Sequence, residues 1–415
     1  MKIVHVGYYY GTNNTGGAAI AATRIHRALR INGVDSYFLC VHNRSDETEN
    51  VEVIPSSKSI KRSWVIFATK ILRNIWRLTC HKTSRVLNLI PTGMLQAIKV
   101  LAPDIVHIHW VSADAISFGE ISKIPCPVVI HLHDMWMING FDPYPHKDRR
   151  YIDGFYNNNT SWLERNLVRR KRGAIISAKA VFAAPSIWVA SECRKSVIAS
   201  GCECYHVPYF PDPVFSFDPA LRKKHGKFTI LFGAFQGRRN PVKGFSDLES
   251  AILMLPRDIQ EKIDLFVFGE CHEDCAIGSV RVHFLGVVSD SYQLKEIYHQ
   301  ADIFAFPSHE ETQGQTKLEA MLCGLPAIAF DRTACAEGIF DGETGRVLPD
   351  GDIAGFADAI LFYYREHSSQ KMDDDYRYII SRKTKSLYDC KVIVSKYISM
   401  YGQIQNRVQR MENHI

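Results

Sequence analysis

The sequence lacks the features that mark secreted, disulfide-linked and membrane-spanning chains. No stretch reaches the roughly 18 uninterrupted apolar residues that a membrane-spanning helix requires. Residues 1–6 lead straight into a strand pattern, without the charged and apolar regions of a signal peptide. The 11 cysteines are an odd number, scattered from Cys40 to Cys390, which is atypical of a disulfide framework. We therefore expect a cytoplasmic protein in a reducing compartment.

The sequence also gives little support for a metal or a nicotinamide cofactor. In the segment from Cys271 to Cys275, three residues separate the cysteines and no second pair lies nearby, which fits structural zinc sites poorly. We predict a polar loop there, and no metal. The glycine-containing loop Gly11 to Ala18 is not a G-x-G-x-x-G fingerprint, and the next predicted strand, ending at Cys40, offers no acidic residue for a ribose. The glycines of that loop either allow a ligand to approach the backbone or simply form a tight turn.

Strand and helix patterns alternate along the chain, which predicts an α/β protein with parallel sheets and crossover helices. A chain of 415 residues with 46% hydrophobic content can bury two cores. The proline-rich segment from Tyr209 to Phe215 interrupts the pattern and predicts a linker between two doubly wound domains. A first helix is predicted from Ala18 to Asn32. The predicted strands are Lys2 to Val6, Val34 to Cys40, Ile105 to His109, Val128 to His133, Ala180 to Ala184, Tyr205 to Pro208, Thr229 to Phe232, Asp264 to Phe268, Val282 to Phe284, Ile303 to Phe306 and Ala327 to Phe330.

Two glutamates, Glu311 and Glu319, stand with seven residues between them in the segment that follows the strand ending near Pro307. If a helix starts around Thr316, the first glutamate lies in the strand-to-helix loop and the second lies in the first turns of the helix. Ligands of open α/β sheets bind at this position. The backbone N–H groups of residues 314–316 would suit phosphates or hydroxyls.

The whole segment resembles the signature of the family 4 glycosyltransferases of the GT-B fold, an E-x7-E segment followed by EAM-x-x-G-x-P. The similarity covers most of the chain and is strongest from about Phe228 to Pro349. The histidine-rich segment from His131 to Trp136 further resembles bacterial enzymes that build surface polysaccharides. Other matching stretches are Gly16-Gly17, Lys243-Gly244, Glu337-Gly338 and Gly342-Glu343-Thr344-Gly345.

The resemblance implies an α/β chain of GT-B architecture, with two Rossmann-like doubly wound domains facing across a cleft. Residues 1–208 would form an acceptor-side domain and residues 209–390 a nucleotide-sugar-binding domain. Residues 391–415 would form a helix that crosses back to the first domain. The implied activity is a metal-independent, retaining hexosyltransferase without a cofactor, whose co-substrate is a nucleotide-diphosphate sugar.

Site residues are carried over from the family onto matching positions. Lys243 would hold the donor phosphates, together with Arg238 or Arg239, between which the sequence does not decide. Glu311 would hold the transferred sugar and Glu319 the ribose. The remaining donor-binding positions are Gly16, Gly17, Gly314, Gln315 and Thr316. Gln313 and Gln315 depart from the usual Gly-Phe-Gly run, so the sugar specificity of the family does not transfer.

Four histidines fall on two neighbouring predicted strands. A strand histidine is more often a hydrogen-bonded core residue, and we assign that role to His107 and His131. His133 ends its strand and matches the family histidine that contacts the donor, so we include it among the catalytic residues. Asp134 either orients this histidine or meets an acceptor hydroxyl.

Between Ser56 and Ile90 there are eight lysines and arginines and no acidic residue. Aromatic and aliphatic residues alternate with them at roughly helical spacing, so residues 58–85 either contact an anionic membrane surface or form a packed helix with a solvated basic face. Nucleic acid is not expected, since the net charge of +6 is modest.

We therefore expect a glycosyltransferase that is cytoplasmic or peripheral at the inner face of the plasma membrane. Its acceptor would be a growing, lipid-linked surface glycan such as O-antigen, capsule or exopolysaccharide. A nucleotide-sugar epimerase of the same fold, a sugar phosphorylase and a non-catalytic membrane-associated binding protein remain as alternatives.

Overall fold

The computed structural model describes residues 1–12, 15–54, 87–144, 148–156, 160–222 and 226–412. The chain divides into two compact units. Unit 1 is Met1–Pro208 together with the chain from Val394 onward, and unit 2 is Tyr209–Ile393. The predicted membrane-contact stretch, residues 58–85, lies outside the described residues. No helix in the ranges above combines the length and the apolar character that crossing a membrane requires.

Unit 1 is built on a parallel sheet whose seven described strands follow the order β3-β2-β1-β4-β5-β6-β7. Every residue of its central strands β4 and β5 is buried, as expected when helices cover both faces of a parallel sheet. Its strands are β1 Lys2–Tyr10, β2 Asp35–Asn43, β3 Val51–Val53, β4 Ile105–Ile108, β5 Val128–His131, β6 Val181–Ala184 and β7 Cys204–His206. The helices before the unit boundary are α1 Gly17–Ile31, α2 Met94–Leu101, α3 Phe118–Ile121, α4 Arg150–Asp153, α5 Trp162–Ser177 and α6 Ile187–Lys195, with a 3-10 turn at Trp136–Ile138.

Unit 2 repeats this plan with the strand order β10-β11-β9-β8-β12-β13-β14, in which only β10 is antiparallel to its neighbour. Its strands are β8 Phe228–Gly233, β9 Ile263–Phe268, β10 Cys275–Ile277, β11 Val280–Gly286, β12 Ile303–Phe306, β13 Ala327–Asp331 and β14 Gly345–Pro349. The helices are α7 Phe245–Met254, α8 Arg257–Gln260, α9 Ser291–Gln300, α10 Gln315–Leu322, α11 Ile353–Ser368, α12 Asp374–Tyr388 and α13 Cys390–Glu412, with 3-10 turns at Pro219–Leu221 and Pro241–Lys243. The boundary between the units falls within α13.

The predicted fold class is confirmed, and the differences lie at the ends and edges of the sheets. The first strand continues to Tyr10 instead of ending at Val6, because Gly7, Tyr9 and Tyr10 still pair with β2, and Gly7 passes close to the ring of Phe38. A Cβ at Gly7 would lie 3.1 Å from that ring. The strands β3, β10 and β14 were not predicted. They are three to five residues long and lie at or beside sheet edges, where short segments carry little periodic signal.

The cysteine-rich segment also differs from its prediction. Cys271 lies in a loop, but Cys275 begins β10 and pairs with Val282 of β11. The ten cysteines within the described residues are free thiols.

Candidate functional site

The strand order places a topological switch point between β8 and β12 in unit 2, because β8 is followed along the chain by β9 on one side and has β12 on the other. The loops that leave the carboxyl ends of these two strands carry Lys243 and Glu311. Ligands of open α/β sheets bind at such a crevice. The two residues therefore lie where the sheet itself predicts a site.

Lys243 and Glu311 form an ion pair at this edge. The Lys243 Nζ lies 2.6 Å from the Glu311 Oε1, and the two side chains are 18% and 14% exposed. The lysine ends the 3-10 turn Pro241–Lys243, which is capped by Asn240, whose side chain accepts a hydrogen bond from Val242 N. The glutamate is fixed through its backbone, since its N–H donates to Thr333 Oγ1 at 3.0 Å.

Gly244 allows the two loops to approach this closely. It has a φ of +67°, and a Cβ there would lie 1.9 Å from the carbonyl oxygen of Pro307. The His309 N–H also donates to the carbonyl of Val242 at 2.8 Å. Glycine is required here by both the left-handed backbone and the close contact.

Helix α10 begins directly beside this pair. Its N-cap residue is Gly314, with a φ of +77°, and no side chain caps the helix. The N–H groups of its first turn, which starts with Gln315 and Thr316, carry the positive end of the helix dipole. The predicted positions of Glu311 in the loop and Glu319 in the helix are confirmed.

Glu319 is buried, with 5% of its surface exposed. The hydroxyl of Tyr298 donates to its Oε2 at 3.3 Å. This bond comes from helix α9 and orients the carboxylate. Sequence reasoning did not identify Tyr298, which belongs to a different element and matches no motif.

Gln313, one of the two glutamines that depart from the usual Gly-Phe-Gly run, has a structural role. Its side-chain amide is buried and bonds the backbone of Tyr209 in both directions: Oε1 accepts from N–H at 2.7 Å, and Nε2 donates to the carbonyl at 2.9 Å. Gln313 thus fixes the start of unit 2 to the loop before α10. Because its polar groups are already engaged there, the departure at this position does not bear on the sugar directly.

Lys317 is a second cation that the sequence analysis missed. It is fully buried, and its Nζ donates to the carbonyl groups of Cys335 at 2.7 Å and Glu337 at 2.5 Å. Burial lowers the pKa of this lysine to about 8. A lysine is ordinary in a helix, so nothing in the sequence indicated that this one would be buried.

Arg238 and Arg239 are both exposed on the loop after β8. The Arg238 guanidinium lies 3.5 Å from a Glu249 oxygen and over the rings of Phe245 and Phe284. Among the described residues, no ion pair involves Arg239.

The remaining predicted residues lie in unit 1. Gly16 is the N-cap of α1 and Gly17 is its first residue, and both are exposed. Gly16 has an ordinary φ of −82°, and no atom of the described residues lies within 4 Å of the position that a Cβ would occupy there. The glycine that the turn requires is instead Gly11. Its φ is +102°, and a Cβ added there would lie 2.5 Å from the backbone of Arg44.

His133 follows β5, and its Nε2 lies 2.9 Å from His109 Nδ1. Burial lowers the pKa of His133 to about 3. The two carboxylate oxygens of Asp134 accept from Trp110 Nε1 at 3.0 Å and from Trp136 N at 2.9 Å. Burial raises the pKa of Asp134 to about 6.

His107 and His131 are buried and hydrogen-bonded, as predicted. The Nδ1 of His131 lies 3.2 Å from His107 Nε2, and the Nδ1 of His107 lies 2.6 Å from the hydroxyl of Tyr401. The structure adds His5, whose Nδ1 lies 2.8 Å from His109 Nε2. Five imidazoles on or just after β1, β4 and β5 are therefore in contact, where the sequence had indicated four.

Comparisons with known proteins support the same interpretation for both units. The family model described as "Glycosyltransferase Family 4" matches residues 15–200, and the model "Glycosyl transferases group 1" matches residues 229–366. The chain is a glycosyltransferase with the GT-B fold.

The glycosyltransferase is 26% identical to the glycogen synthase of Mycobacterium tuberculosis over 383 residues, which cover 87% of this chain and 85% of the relative. Among solved structures, it is similar to Anabaena Alr3699/HepE in complex with UDP and glucose, with a TM-score of 0.66, 15% identity, and coverage of 97% of this chain and 99% of that one. It is also similar to WaaG, a glycosyltransferase involved in lipopolysaccharide biosynthesis, with a TM-score of 0.62, 15% identity, and coverage of 96% and 99%. At these identities the solved structures establish the fold alone.

Proposed function

We propose that this glycosyltransferase transfers a hexose from a nucleotide-diphosphate sugar to a lipid-linked surface glycan, with retention of anomeric configuration. The observation that carries the donor half of the proposal is the Lys243–Glu311 pair at the switch point of the unit 2 sheet. A cation and an anion held at 2.6 Å, beside an uncapped helix start, offer complementary partners to the phosphates and the hydroxyls of one ligand.

Leaving-group stabilisation supports the role of Lys243. Negative charge grows on the diphosphate as the glycosidic bond breaks, and a fixed cation stabilises that charge in the transition state. In the reaction we propose, Lys243 and one arginine fill this role without a metal ion. Arg239 is the better candidate, because the Arg238 guanidinium already contacts Glu249.

The roles of the carboxylates follow from their burial. Glu311, partly exposed, is assigned to the hydroxyls of the transferred sugar together with the N–H groups of residues 314–316. Glu319, buried and oriented by Tyr298, is assigned to the ribose. Gly16, Gly17 and His133 are assigned to the donor from unit 1, and the reaction uses a phosphate oxygen of the donor to accept the proton of the acceptor hydroxyl.

The acceptor half rests on sequence and analogy. The run of eight basic residues without an acidic one, from Ser56 to Ile90, suits an anionic lipid surface at about 1 kcal/mol per cation. The similarity to WaaG concerns the fold alone, and a surface glycan is proposed by analogy with its role in lipopolysaccharide biosynthesis. Sedimentation with anionic and with neutral vesicles tests this half separately, since only anionic vesicles should retain the protein.

The donor half is tested by thermal shift with UDP, GDP, ADP and CMP on the full chain. We expect one nucleoside diphosphate to stabilise the wild type, by about 2.7 kcal/mol at roughly 100 times its Kd. Glu311→Gln should keep this nucleotide effect but lose transfer, because the sugar is absent from the ligand. Glu296 is an exposed glutamate of α9, and Glu296→Gln is the matched control. It should change neither the stabilisation by the nucleotide nor the rate of sugar transfer.

Two outcomes would overturn the proposal. If no nucleotide shifts the melting temperature, the donor site is absent and a membrane-associated binding protein becomes the better description. If a nucleotide sugar is consumed without an acceptor and a changed sugar is released, the protein is an epimerase.

A further inference from the structure

Unit 1 contains a cluster of buried histidines that the proposed sugar transfer does not use in full. Each member is 9% exposed or less, and the members lie on or directly after the neighbouring strands β1, β4 and β5. They are His5, His107, His109, His131 and His133.

Two groups of three histidines within the cluster place one ring nitrogen from each member within 4.8 Å of the others. One group is His5, His107 and His109, and the other is His109, His131 and His133. We propose that the second group binds a divalent transition-metal ion, with Zn²⁺ as the first candidate, since imidazole nitrogen is a preferred ligand of zinc.

The spacing of one nitrogen pair, His109 and His133, requires only a small adjustment, and the His131 nitrogen lies within 4.8 Å of both. In a tetrahedral site with Zn–N bonds of about 2.0–2.1 Å, two ligand nitrogens are about 3.3 Å apart. The His109 Nδ1 and His133 Nε2 now lie 2.9 Å apart, at hydrogen-bond distance. An ion would replace the shared proton and move the two rings apart by a few tenths of an ångström.

The outer partners needed for such a site are already present. A metal-binding histidine normally donates its other N–H to an acceptor, which fixes its tautomer. His109 can bind the ion through Nδ1 because its Nε2 contacts His5 Nδ1 at 2.8 Å. His131 can bind through Nε2 because its Nδ1 contacts His107 Nε2 at 3.2 Å, and that ring is held in turn by Tyr401.

The first group, His5, His107 and His109, is the weaker candidate because one of its members is hydrogen-bonded on both sides to residues outside the group. Both nitrogens of His107 are engaged, one by Tyr401 and one by His131, so an ion there would have to break one of these contacts. His133 is the most exposed of the five histidines and follows the end of β5, which gives the second group its access. The inference is argued from the geometry of the histidines alone and does not rest on the proposed transfer.

The test uses the untagged full-length protein, stripped with a chelator and then titrated with Zn²⁺ by calorimetry and with Co²⁺ by visible absorption. We expect one ion per chain and the ligand-field bands of a low-symmetry cobalt site. Failure to bind either ion saturably at one per chain would overturn the proposal.

Variants locate the ion. His131→Phe keeps an aromatic ring but removes a ligand, and should weaken binding by more than about 100-fold, whereas His5→Phe removes only an outer partner and should weaken it by about 10–100-fold. His206→Asn, an exposed histidine of β7, is the control and should bind as the wild type does. Equal losses in His131→Phe and His206→Asn, or a greater loss in His5→Phe than in His131→Phe, would contradict the assignment. If His131→Phe does not fold, His133→Ala replaces it with the same expectation.

Discussion

The carboxyl edges of the two sheets differ in the kind of polar group that they present. In unit 2, the loops after β8 and β12 bring a lysine and a glutamate into an ion pair, with a further buried lysine in α10. In unit 1, the corresponding ends of β4 and β5 carry neutral imidazoles, which contact one another and His5 within β1. Fixed charges suit a ligand whose own charge changes during reaction, whereas neutral imidazoles suit a proton or a metal ion.

The largest effect is expected from Lys243→Met, which removes the fixed cation at the unit 2 edge. Transfer should fall by about 10²–10³ in kcat, the loss typical of one electrostatic contact to a transition state. The control is Lys371→Met, because Lys371 also forms an ion pair with a glutamate, at 3.0 Å from Glu366, and lies in the same unit. Equal activity in the two variants would show that the charge at the edge does not serve the reaction.

Glu319→Gln tests whether the buried carboxylate of unit 2 holds the nucleotide. The variant should lose most of the nucleotide-dependent stabilisation, which is about 2.7 kcal/mol at roughly 100 times the Kd. Tyr298→Phe removes only the hydroxyl that orients the carboxylate, so this variant should lose part of the nucleotide-dependent stabilisation. A full nucleotide shift in Glu319→Gln, measured by differential scanning fluorimetry, would remove this residue from the donor site.

His26 of helix α1, whose ring contacts that of His5, provides a pH test of the buried histidines in unit 1. Burial lowers its pKa to about 4, so the unfolded chain binds a proton more readily than the folded one. Stability is therefore complete above about pH 6.5 and is lost as the pH falls toward 4, by about 2 kcal/mol at pH 5. Urea unfolding measures the effect: between pH 7 and pH 5, the free energy of unfolding should fall less in His26→Gln than in the wild type. Ser36→Ala, which removes the 2.8 Å hydrogen bond but keeps the imidazole, should retain the wild-type pH dependence.

Substitution by alanine should have different effects on stability at Gly314 of unit 2 and at Gly16 of unit 1. Gly314→Ala should destabilise the protein by about 1–2 kcal/mol, because its φ is +77° and the new Cβ would lie 2.8 Å from the ring of Phe306. Gly16→Ala should leave stability within about 0.5 kcal/mol, since its φ is ordinary and its Cβ position is open. Thermal melting of the two variants measures this difference. A reduced transfer rate in a stable Gly16→Ala would support close approach of the donor to that loop.

Much of the fold could be predicted because hydrophobic periodicity is a local property. The strands β8, β9 and β12 were predicted within one residue of their ends, and α1 within one residue of both. The short strands β3, β10 and β14 were not, because pairing with a neighbour, rather than their own sequence, makes them strands.

The candidate site divides in the same way. The sequence by itself determined which residues are available: Glu311 and Glu319 at fixed spacing around a helix start, a lysine beside Gly244, and histidines alternating along two strands. Only the tertiary structure decided which of them meet. Lys243 and Glu311 are 68 residues apart, and His5 and His109 are 104 apart.

The physical reason is that contacts between distant segments depend on strand order and on burial, which no local pattern contains. The same dependence explains Gln313, which lies within the glutamate motif but whose amide bonds the backbone of Tyr209 in the folded chain. It also explains Lys317, a helix residue in the sequence and a buried cation with a lowered pKa in the structure. The sequence thus determined the chemical groups, and the order of the strands decided which groups act together.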